Sequence, residues 1–205
     1  MTPIQWTILA AAVAAVILIL ILIRLLLVSG SHICRPQGFH RLCVAWILKR
    51  FAGIRSFKVL NDLTLKTAKK NVHIDHILIG FFGIMVVNTQ NLPGSIYGDG
   101  RGKNWTHVVT KNGREAKTSF PNPLLENQQA VDAVREVLST NGVYKVNIES
   151  WVVFTRKKAS LNLPKGLSVL GIKNFKKLLK KSRYSADGNV NVPQVASLLS
   201  ANSVK

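Results

Sequence analysis

One long apolar run dominates the first part of the chain. Within residues 4–28 the sole charged residue is Arg24, and most of the others are Leu, Ile, Val and Ala. A helix rises about 1.5 Å per residue, so this run is long enough to cross a hydrocarbon layer of roughly 30 Å. We therefore predict one transmembrane helix within residues 1–30. A cleaved signal peptide is the alternative, although no basic segment precedes the run and no A-x-A-like site follows it.

The segment after this run has the spacing of an amphipathic helix. Apolar residues recur at intervals of three and four within residues 37–51, and we expect Gly53 to end the helix. Packing of its apolar side on a sheet is one interpretation. The other is a helix in the lipid interface, because such helices carry tryptophan beside basic residues. The residues concerned are Trp46, Arg41, Lys49 and Arg50.

Short β-branched segments in the rest of the chain predict a sheet. The first three form an antiparallel meander, because only a turn at Phe81-Phe82-Gly83 separates the second from the third. The predicted strands are 57–65, 72–79, 84–88, 105–110, 150–155 and 167–172. Strands and helices that alternate in this way indicate an α/β domain.

Two further helices are predicted among these strands. The first has Asn122 as its N-cap and Pro123 at its first position, and it runs to about Leu138. The second covers about 174–183, and the chain after it holds at most one short helix beyond Pro193. The predicted organisation is an anchor at 1–30, a juxtamembrane linker with the first amphipathic helix at 31–56, the α/β domain at 57–184 and a C-terminal tail at 185–205.

The charge balance of the chain is strongly basic. The 28 Lys and Arg residues face 9 Asp and Glu, for a formal net charge of +19. Such a surface attracts polyanions, either nucleic acid or the anionic head groups of lipids beside the anchor, and it also contributes to solubility. Basic residues follow the apolar run and none precedes it, so we expect a single-pass protein with its N-terminus outside and its domain in the cytoplasm. The two cysteines are too few for a disulfide framework.

A motif across the second and third predicted strands resembles that of a known family. In the NERD (nuclease-related) domain, a member of the restriction-endonuclease-like group, Ile-Asp-His, a glycine turn and Glu-x-Lys-Asn follow one another. The corresponding residues here are His73-Ile74-Asp75-His76, Gly80, Gly83, Asn88-Thr89-Gln90-Asn91, Gly94, the Tyr97-Gly98-Asp99-Gly100 loop and Trp105. The resemblance implies a restriction-endonuclease-like mixed sheet flanked by helices, and a bacterial inner membrane as the location.

The catalytic positions of this motif are altered. A nuclease of this kind needs carboxylates around Mg²⁺ and a lysine near the attacking water. Asp75 matches the family's aspartate, but Asn88 stands in place of the glutamate and Gln90 in place of the lysine. Phe39 stands where the family has a helix glutamate. Amides do not supply these charges, so we predict a degenerate site, an inactive or weak enzyme and no bound cofactor.

An active nuclease is the alternative interpretation. In it, Asp75 binds Mg²⁺ or Mn²⁺ and Glu126 supplies a relocated carboxylate. The other interpretation of Glu126 is an acidic residue in the first turn that favours the helix dipole. Weaker candidates for a relocated carboxylate are Asp99 and Glu149.

The last predicted helix is the main candidate for a polyanion-binding surface. At about 100° per residue its basic residues cover an arc of roughly 160°, with apolar residues on the other side. These basic residues are Lys173, Lys176, Lys177, Lys180, Lys181 and Arg183, to which Arg156, Lys157 and Lys158 add a second cluster. A patch that tracks phosphates and a merely solvated charged face are both compatible with this pattern.

The function we expect is that of a membrane-anchored, nuclease-related protein with a basic surface for nucleic acid and a degenerate site. Two alternatives stay open. One is the active metal-dependent nuclease described above. The other is a membrane-bound interaction or scaffold protein that does not bind nucleic acid.

Overall fold

The computed structural model describes residues 37–186 and 188–204 of the chain. The transmembrane helix predicted within residues 1–30 lies outside the described residues. In the part of the chain that is described, no helix is both long and apolar enough to cross a membrane.

The described residues form two sheets and four α-helices. In chain order these are α1 (Gln37–Gly53), β1 (Lys58–Lys66), β2 (Asn71–Gly80), β3 (Gly83–Gln90), β4 (Gly94–Tyr97), β5 (Asn104–Lys111), β6 (Arg114–Pro121), α2 (Pro123–Thr140), β7 (Ile148–Phe154), β8 (Ala159–Asn162), β9 (Val169–Gly171), α3 (Ile172–Leu179), a 3-10 helix (Ser182–Ser185), α4 (Val192–Ala201) and β10 (Ser203–Val204). The architecture is therefore mixed α/β.

The larger sheet has six strands in the order β10-β1-β2-β3-β7-β9. β1, β2 and β3 pair antiparallel through short turns. β7 pairs in parallel with β3, and β9 in parallel with β7. The long connection from β3 to β7 contains α2, as a parallel crossover requires.

Helices cover both faces of this sheet. On one face α2 and α4 contribute Val134 and Val195 to a core with Ile77 and Ile84. On the other face α1 and α3 pack residues such as Leu48 against Leu78, Met85 and Val87 of the strands. Because both faces are buried, β2 and β3 read as nearly continuous apolar runs and not as alternating ones.

The smaller sheet has four strands in the order β6-β5-β4-β8. It meets the larger sheet through a third core, in which Ile96 and Trp105 pack with Val152 and Phe154. β6 lies at the edge, and nearly all of its side chains are exposed. This sheet extends the domain beyond the ends of β3 and β7.

The structure confirms most of the predicted elements and corrects others. The antiparallel meander is confirmed, and so is α2 with Asn122 as its N-cap. The sequence pattern does not predict β4, β6 or β8. The predicted helix at 174–183 is wrong at its end, since α3 stops at Leu179 and the chain enters a 3-10 helix. Tyr184 then turns inward and is 1% exposed, which a continued α-helix does not provide.

Candidate functional site

Asp75 lies where β2 and β3 separate. The paired residues of the two strands run from Gly80 with Gly83 to His76 with Val87. One residue further along β2, Oδ2 of Asp75 accepts a hydrogen bond of 2.7 Å from the backbone N–H of Thr89. The carboxylate therefore satisfies a backbone donor that the strand ladder no longer satisfies.

The second oxygen of Asp75 faces α1. Its Oδ1 lies 3.0 Å from Nε of Arg41 and 3.5 Å from Nε2 of His73. Asp62 approaches the same two bases at 3.7 and 3.4 Å, but its side chain is 76% exposed whereas that of Asp75 is 4% exposed. The buried carboxylate depends on Arg41 for its countercharge. Both oxygens of Asp75 are thus engaged within the protein.

Asn88 and Gln90 lie side by side near the end of β3, as their i, i+2 spacing predicts. Nε2 of Gln90 donates a hydrogen bond of 2.8 Å to Oδ1 of Asn88. Both side chains are half-buried. The two amides form a neutral pair at the positions where the family motif has Glu and Lys.

α2 brings Glu126 close to this region. Oδ1 of Asn122 accepts from the N–H of Leu124 at 2.9 Å and caps the helix. Glu126 lies in the first turn that this cap fixes. Burial, and then the negative charge of Asp75, raise the pKa of Glu126. The two carboxyl groups are therefore near enough to repel each other when both are ionised.

His76 is the buried neighbour of Asp75 on β2. It is 2% exposed, and its Nδ1 lies 2.8 Å from Oδ1 of Asn61. Its Nε2 is buried without a hydrogen-bond partner among the described residues. Burial lowers the pKa of His76 to about 4, against the opposing effect of Asp75. The ring is thus neutral at neutral pH and serves as a polar core residue.

The weaker candidate carboxylates are held elsewhere. Asp99 is exposed, and the backbone N–H of Gly102 in the same loop lowers its pKa. Glu149 accepts hydrogen bonds from Tyr184 at 2.7 Å and from Arg183 at 3.1 Å. Within residues 37–186 and 188–204, no group of three or more His, Cys, Asp or Glu side chains is placed to hold a metal ion.

An aromatic side chain stands at the position where the sequence resemblance implies a helix glutamate. Phe39 on α1 is 46% exposed, and its ring meets that of His40 edge-on at 6.2 Å between centroids. This position therefore offers no carboxylate oxygen.

Arg41 is the site residue that the sequence prediction missed. At helical spacing it falls on one stripe with Ala45, Leu48 and Ala52, all of which are buried. A charged residue on a buried stripe requires a partner of opposite charge, and this is the signal that could have revealed it. The identity of the partner could not be read from the sequence, since Asp75 lies far along the chain.

The three parallel strands of the larger sheet, β3, β7 and β9, end at the same edge of the sheet. Gln90 of β3 pairs in register with Phe154 of β7, and Phe154 pairs with Gly171 of β9. The loop at 156–158 and the start of α3 therefore emerge at the same edge as the amide pair. Lys157 and Lys158 are exposed there, and Arg156 is half-buried.

Three polar atoms near this edge are buried without a hydrogen-bond partner within the described ranges. They are Oγ1 of Thr89, Oδ1 of Asn91 and Nε of Arg156. Thr89 and Asn91 flank Gln90, whose backbone carbonyl accepts from the N–H of Thr155 next to Arg156. Buried polar groups usually find a partner in protein or ordered water, so ordered water molecules are the expected partners of these three atoms.

The basic residues predicted on the last helix divide into three groups. Lys173, Lys176 and Lys177 are exposed on α3, while Lys180 and Lys181 are exposed beyond its end. Arg183 is bonded to Glu149. The single arc of six basic residues is therefore wrong, and the part that belongs to one helix is the group of three lysines.

These features place the chain in a known class of proteins. The family model described as nuclease-related domain matches residues 41–155, more than half of the chain. The chain belongs to the nuclease-related domain family. The mixed sheets flanked by helices are consistent with a nuclease-like fold.

A curated relative matches a shorter segment. An uncharacterized protein of Bacillus anthracis is 35% identical over 81 residues, which are 39% of this chain and 36% of that protein. The aligned segment thus spans little more than a third of that relative. No solved structure matches the chain.

Proposed function

We propose that this protein is a membrane-anchored member of its family that binds nucleic acid and does not cleave it efficiently. The apolar segment within residues 1–30 is the anchor, and the basic residues after it favour a cytoplasmic domain at an inner membrane. The domain then presents its basic surface to nucleic acid beside the membrane.

The observation that carries the loss of cleavage is the ion pair between Asp75 and Arg41. A hard cation such as Mg²⁺ requires oxygen ligands, usually with at least one carboxylate. Here Arg41 lies 3.0 Å from one oxygen of Asp75, and the N–H of Thr89 bonds the other. A metal ion at Asp75 must either displace the guanidinium of Arg41 or bind beside it against the repulsion of its positive charge. These residues do not fit a divalent cation.

The amide pair supports the same conclusion. Oδ1 of Asn88 already accepts from Gln90, and neither side chain has a charge to offer a metal ion or a scissile phosphate. The i, i+2 spacing of the family motif is retained, but the negative and positive charges of its Glu and Lys are absent. Loss of the acidic and the basic member together removes both metal binding and stabilisation of the attacking water.

Nucleic acid is the ligand that the sheet edge favours. Arg156, Lys157 and Lys158 emerge beside the amide pair, and Lys173 follows at the start of α3. The exposed ammonium groups of Lys157 and Lys158 can contact phosphate oxygens. Lys176 and Lys177 extend the positive charge along the helix, so a phosphate backbone can contact the edge and α3 together.

The binding proposal is tested by titrating labelled DNA and RNA with the full chain in detergent, with EDTA present and at several salt concentrations. We expect the logarithm of the affinity to fall linearly with the logarithm of the salt concentration. Replacing Lys173, Lys176 and Lys177 by Gln should weaken binding and reduce that slope by up to about 3, because each phosphate contact contributes about one unit.

The matched control replaces three exposed lysines on other elements, Lys66, Lys69 and Lys117, by Gln. It removes the same charge and should leave most of the slope in place. Equal effects of the two triple variants contradict a localised binding surface. Absence of salt-dependent binding to either nucleic acid contradicts the proposal and favours a membrane-bound scaffold.

An active nuclease is the second candidate because of Glu126. Its pKa is raised partly by the charge of Asp75, so a second carboxyl group is near the first. In this candidate Asp75 and Glu126 would hold Mg²⁺ or Mn²⁺, which would require Arg41 to leave the carboxylate of Asp75. Cleavage that is lost in both Asp75→Ala and Glu126→Gln would distinguish it from the non-cleaving protein.

A further inference from the structure

α1 is apolar on two sides. Its inner side, which includes Val44 and Leu48, is buried against the larger sheet. Its outer side carries three large apolar residues whose surfaces are about half exposed or more. These are Phe39, Leu42 and Trp46, which are 46%, 66% and 58% exposed and which we name the outer stripe of α1. A helix that only packed on a sheet would have a polar outer side.

The outer stripe is continuous and has basic margins. At about 100° per residue its three members fall within an arc of roughly 60°, with Lys49 and Arg50 at either side. The guanidinium of Arg50 lies over the ring of Trp46, 5.5 Å from its centroid. Both basic residues are exposed. An apolar stripe with tryptophan and basic margins matches the boundary between acyl chains and phosphate groups of a bilayer.

The charge around α1 has a single sign in the sequence. The first acidic residue of the chain is Asp62, so every charged residue before it is basic. These are Arg24, Arg35, Arg41, Lys49, Arg50, Arg55 and Lys58. Such a region is attracted to anionic head groups by about 1 kcal/mol per nearby basic residue. Two copies of it repel each other, which argues against a second chain as the occupant.

The sequence also keeps α1 close to the proposed anchor. Eight residues, 29–36, separate the apolar run from α1. A chain of this length spans at most about 3.5 Å per residue, so a membrane-embedded run at 4–28 holds α1 within roughly 30 Å of the bilayer. At that distance even weak docking is favoured by the high effective concentration of lipid.

We infer that the outer stripe of α1 docks onto an anionic lipid surface, with Leu42 and Trp46 at the acyl boundary and Lys49 and Arg50 on the phosphates. The inference rests on the proposed membrane attachment. Docking adds a second contact between the domain and the membrane. It also holds α1 in place, and α1 is the helix whose Arg41 forms the ion pair with Asp75. The aliphatic Leu42 at the centre of the stripe favours lipid over nucleic acid, because it offers no ring for base stacking.

The test uses the full chain with Cys34 and Cys43 replaced by Ser and one environment-sensitive NBD label. The label is attached at Leu42→Cys on the outer stripe or, as the control, at Gln128→Cys, which is exposed on α2 across the sheet. Vesicles contain neutral phospholipid, or a mixture of neutral and anionic phospholipid. Flotation reports attachment, while the emission maximum and quenching by spin-labelled acyl chains report whether the label enters the bilayer.

On anionic vesicles we expect the protein to float and the label at residue 42 to show a blue shift, a several-fold rise in emission and strong quenching. The label at residue 128 should show none of these. Replacing Lys49 and Arg50 by Gln should reduce the response at residue 42 and leave flotation unchanged.

If the protein floats but neither label shows a blue shift or quenching, the docking inference is overturned and the membrane attachment still holds. Protein that fails to float refutes the attachment and this inference with it. A label at residue 42 that responds to added DNA and not to lipid assigns the stripe to nucleic acid, which also overturns the inference.

Discussion

Burial makes Asp75 and His76 dependent on a few neighbours. The side chain of Asp75 is 4% exposed and has lost most of its hydration, which Arg41 and the N–H of Thr89 replace. His76 is buried as well, but it avoids the cost of a buried charge because its ring stays neutral and bonds to Asn61. These two solutions to burial have different consequences for stability.

The first prediction concerns Arg41→Met. This change leaves the charge of Asp75 buried without its partner, and we expect it to lower the free energy of unfolding by about 2 kcal/mol, less than a fully buried pair because Arg41 is half-exposed. Denaturant unfolding of the full chain in mild detergent measures the effect. Lys49→Met on the exposed side of α1 is the control and should change the value by less than about 0.5 kcal/mol.

The ion pair also predicts a coupling between the two residues. Asp75→Asn should cost less in the Arg41→Met background than in the wild type, because the unpaired charge is then removed. Additive costs of the two changes would show that the ion pair contributes nothing to stability.

The second prediction concerns pH and His76. Its pKa in the folded state is about 4, below the ordinary 6.5, because burial disfavours the charged ring. Between these values the unfolded chain binds the proton and the folded protein does not, so stability is fully present above pH 6.5 and is lost as the pH falls towards 4. The shift corresponds to about 3 kcal/mol at roughly 1.4 kcal/mol per unit.

Replacing His76 by Gln should flatten this part of the stability curve. Urea unfolding at several pH values measures it, and Ile77→Val is the control because it removes a methyl group and no titrating group. We expect Ile77→Val to displace the curve by about 1 kcal/mol at every pH. If His76→Gln also displaces it by a constant amount, then His76 does not cause the loss at low pH.

At the level of the elements, the start of α2 holds the two sheets and the site together. Asn122 caps the helix through Leu124, and its Nδ2 donates to the carbonyls of Asp99 and Gly102 in the loop before β5. One turn later Asn127 donates to Ser150 at 2.8 Å and to the carbonyl of Trp151 at 3.1 Å. These bonds fix the first turn of α2, in which Glu126 lies.

The third prediction compares two N-caps. Asn191 caps α4 by accepting from the N–H of Gln194 and shows no further side-chain bond in the described residues. Asn191→Ala should therefore cost about 1 kcal/mol, whereas Asn122→Ala should cost about 2 to 3 kcal/mol because two carbonyl groups also lose a donor. Unfolding of the two variants measures the difference. Equal costs would mean that the bonds to the loop add nothing.

The elements with an apolar pattern could be predicted, and those without one could not. β2 and β3 have apolar runs bounded by glycine, and the sequence predicts them within two residues of their observed ends. β6 has the polar sequence Arg114–Pro121 and is a strand only because it pairs with β5 along its whole length. The end of α3 could not be predicted either. It depends on Tyr184 turning inward to bond Glu149, which lies far away in the sequence.

At the scale of the whole molecule, the family could be recognised from sequence, but the bonds of Asp75, Asn88 and Gln90 could not. The two amide residues Asn88 and Gln90 can be read from the sequence, whereas the hydrogen bond between them is a property of the fold. The same holds for Arg41, whose role depends on α1 lying beside Asp75 of β2.

The measurement that tests this account most directly is a cleavage assay. Purified full-length protein is incubated with plasmid DNA and with RNA in Mg²⁺, Mn²⁺ or EDTA, beside Asp75→Ala and Glu126→Gln. The account predicts no metal-dependent cleavage above that of the Asp75→Ala protein. Metal-dependent cleavage by the wild type that disappears in Asp75→Ala would contradict it, because Asp75 would then be a working metal ligand despite Arg41.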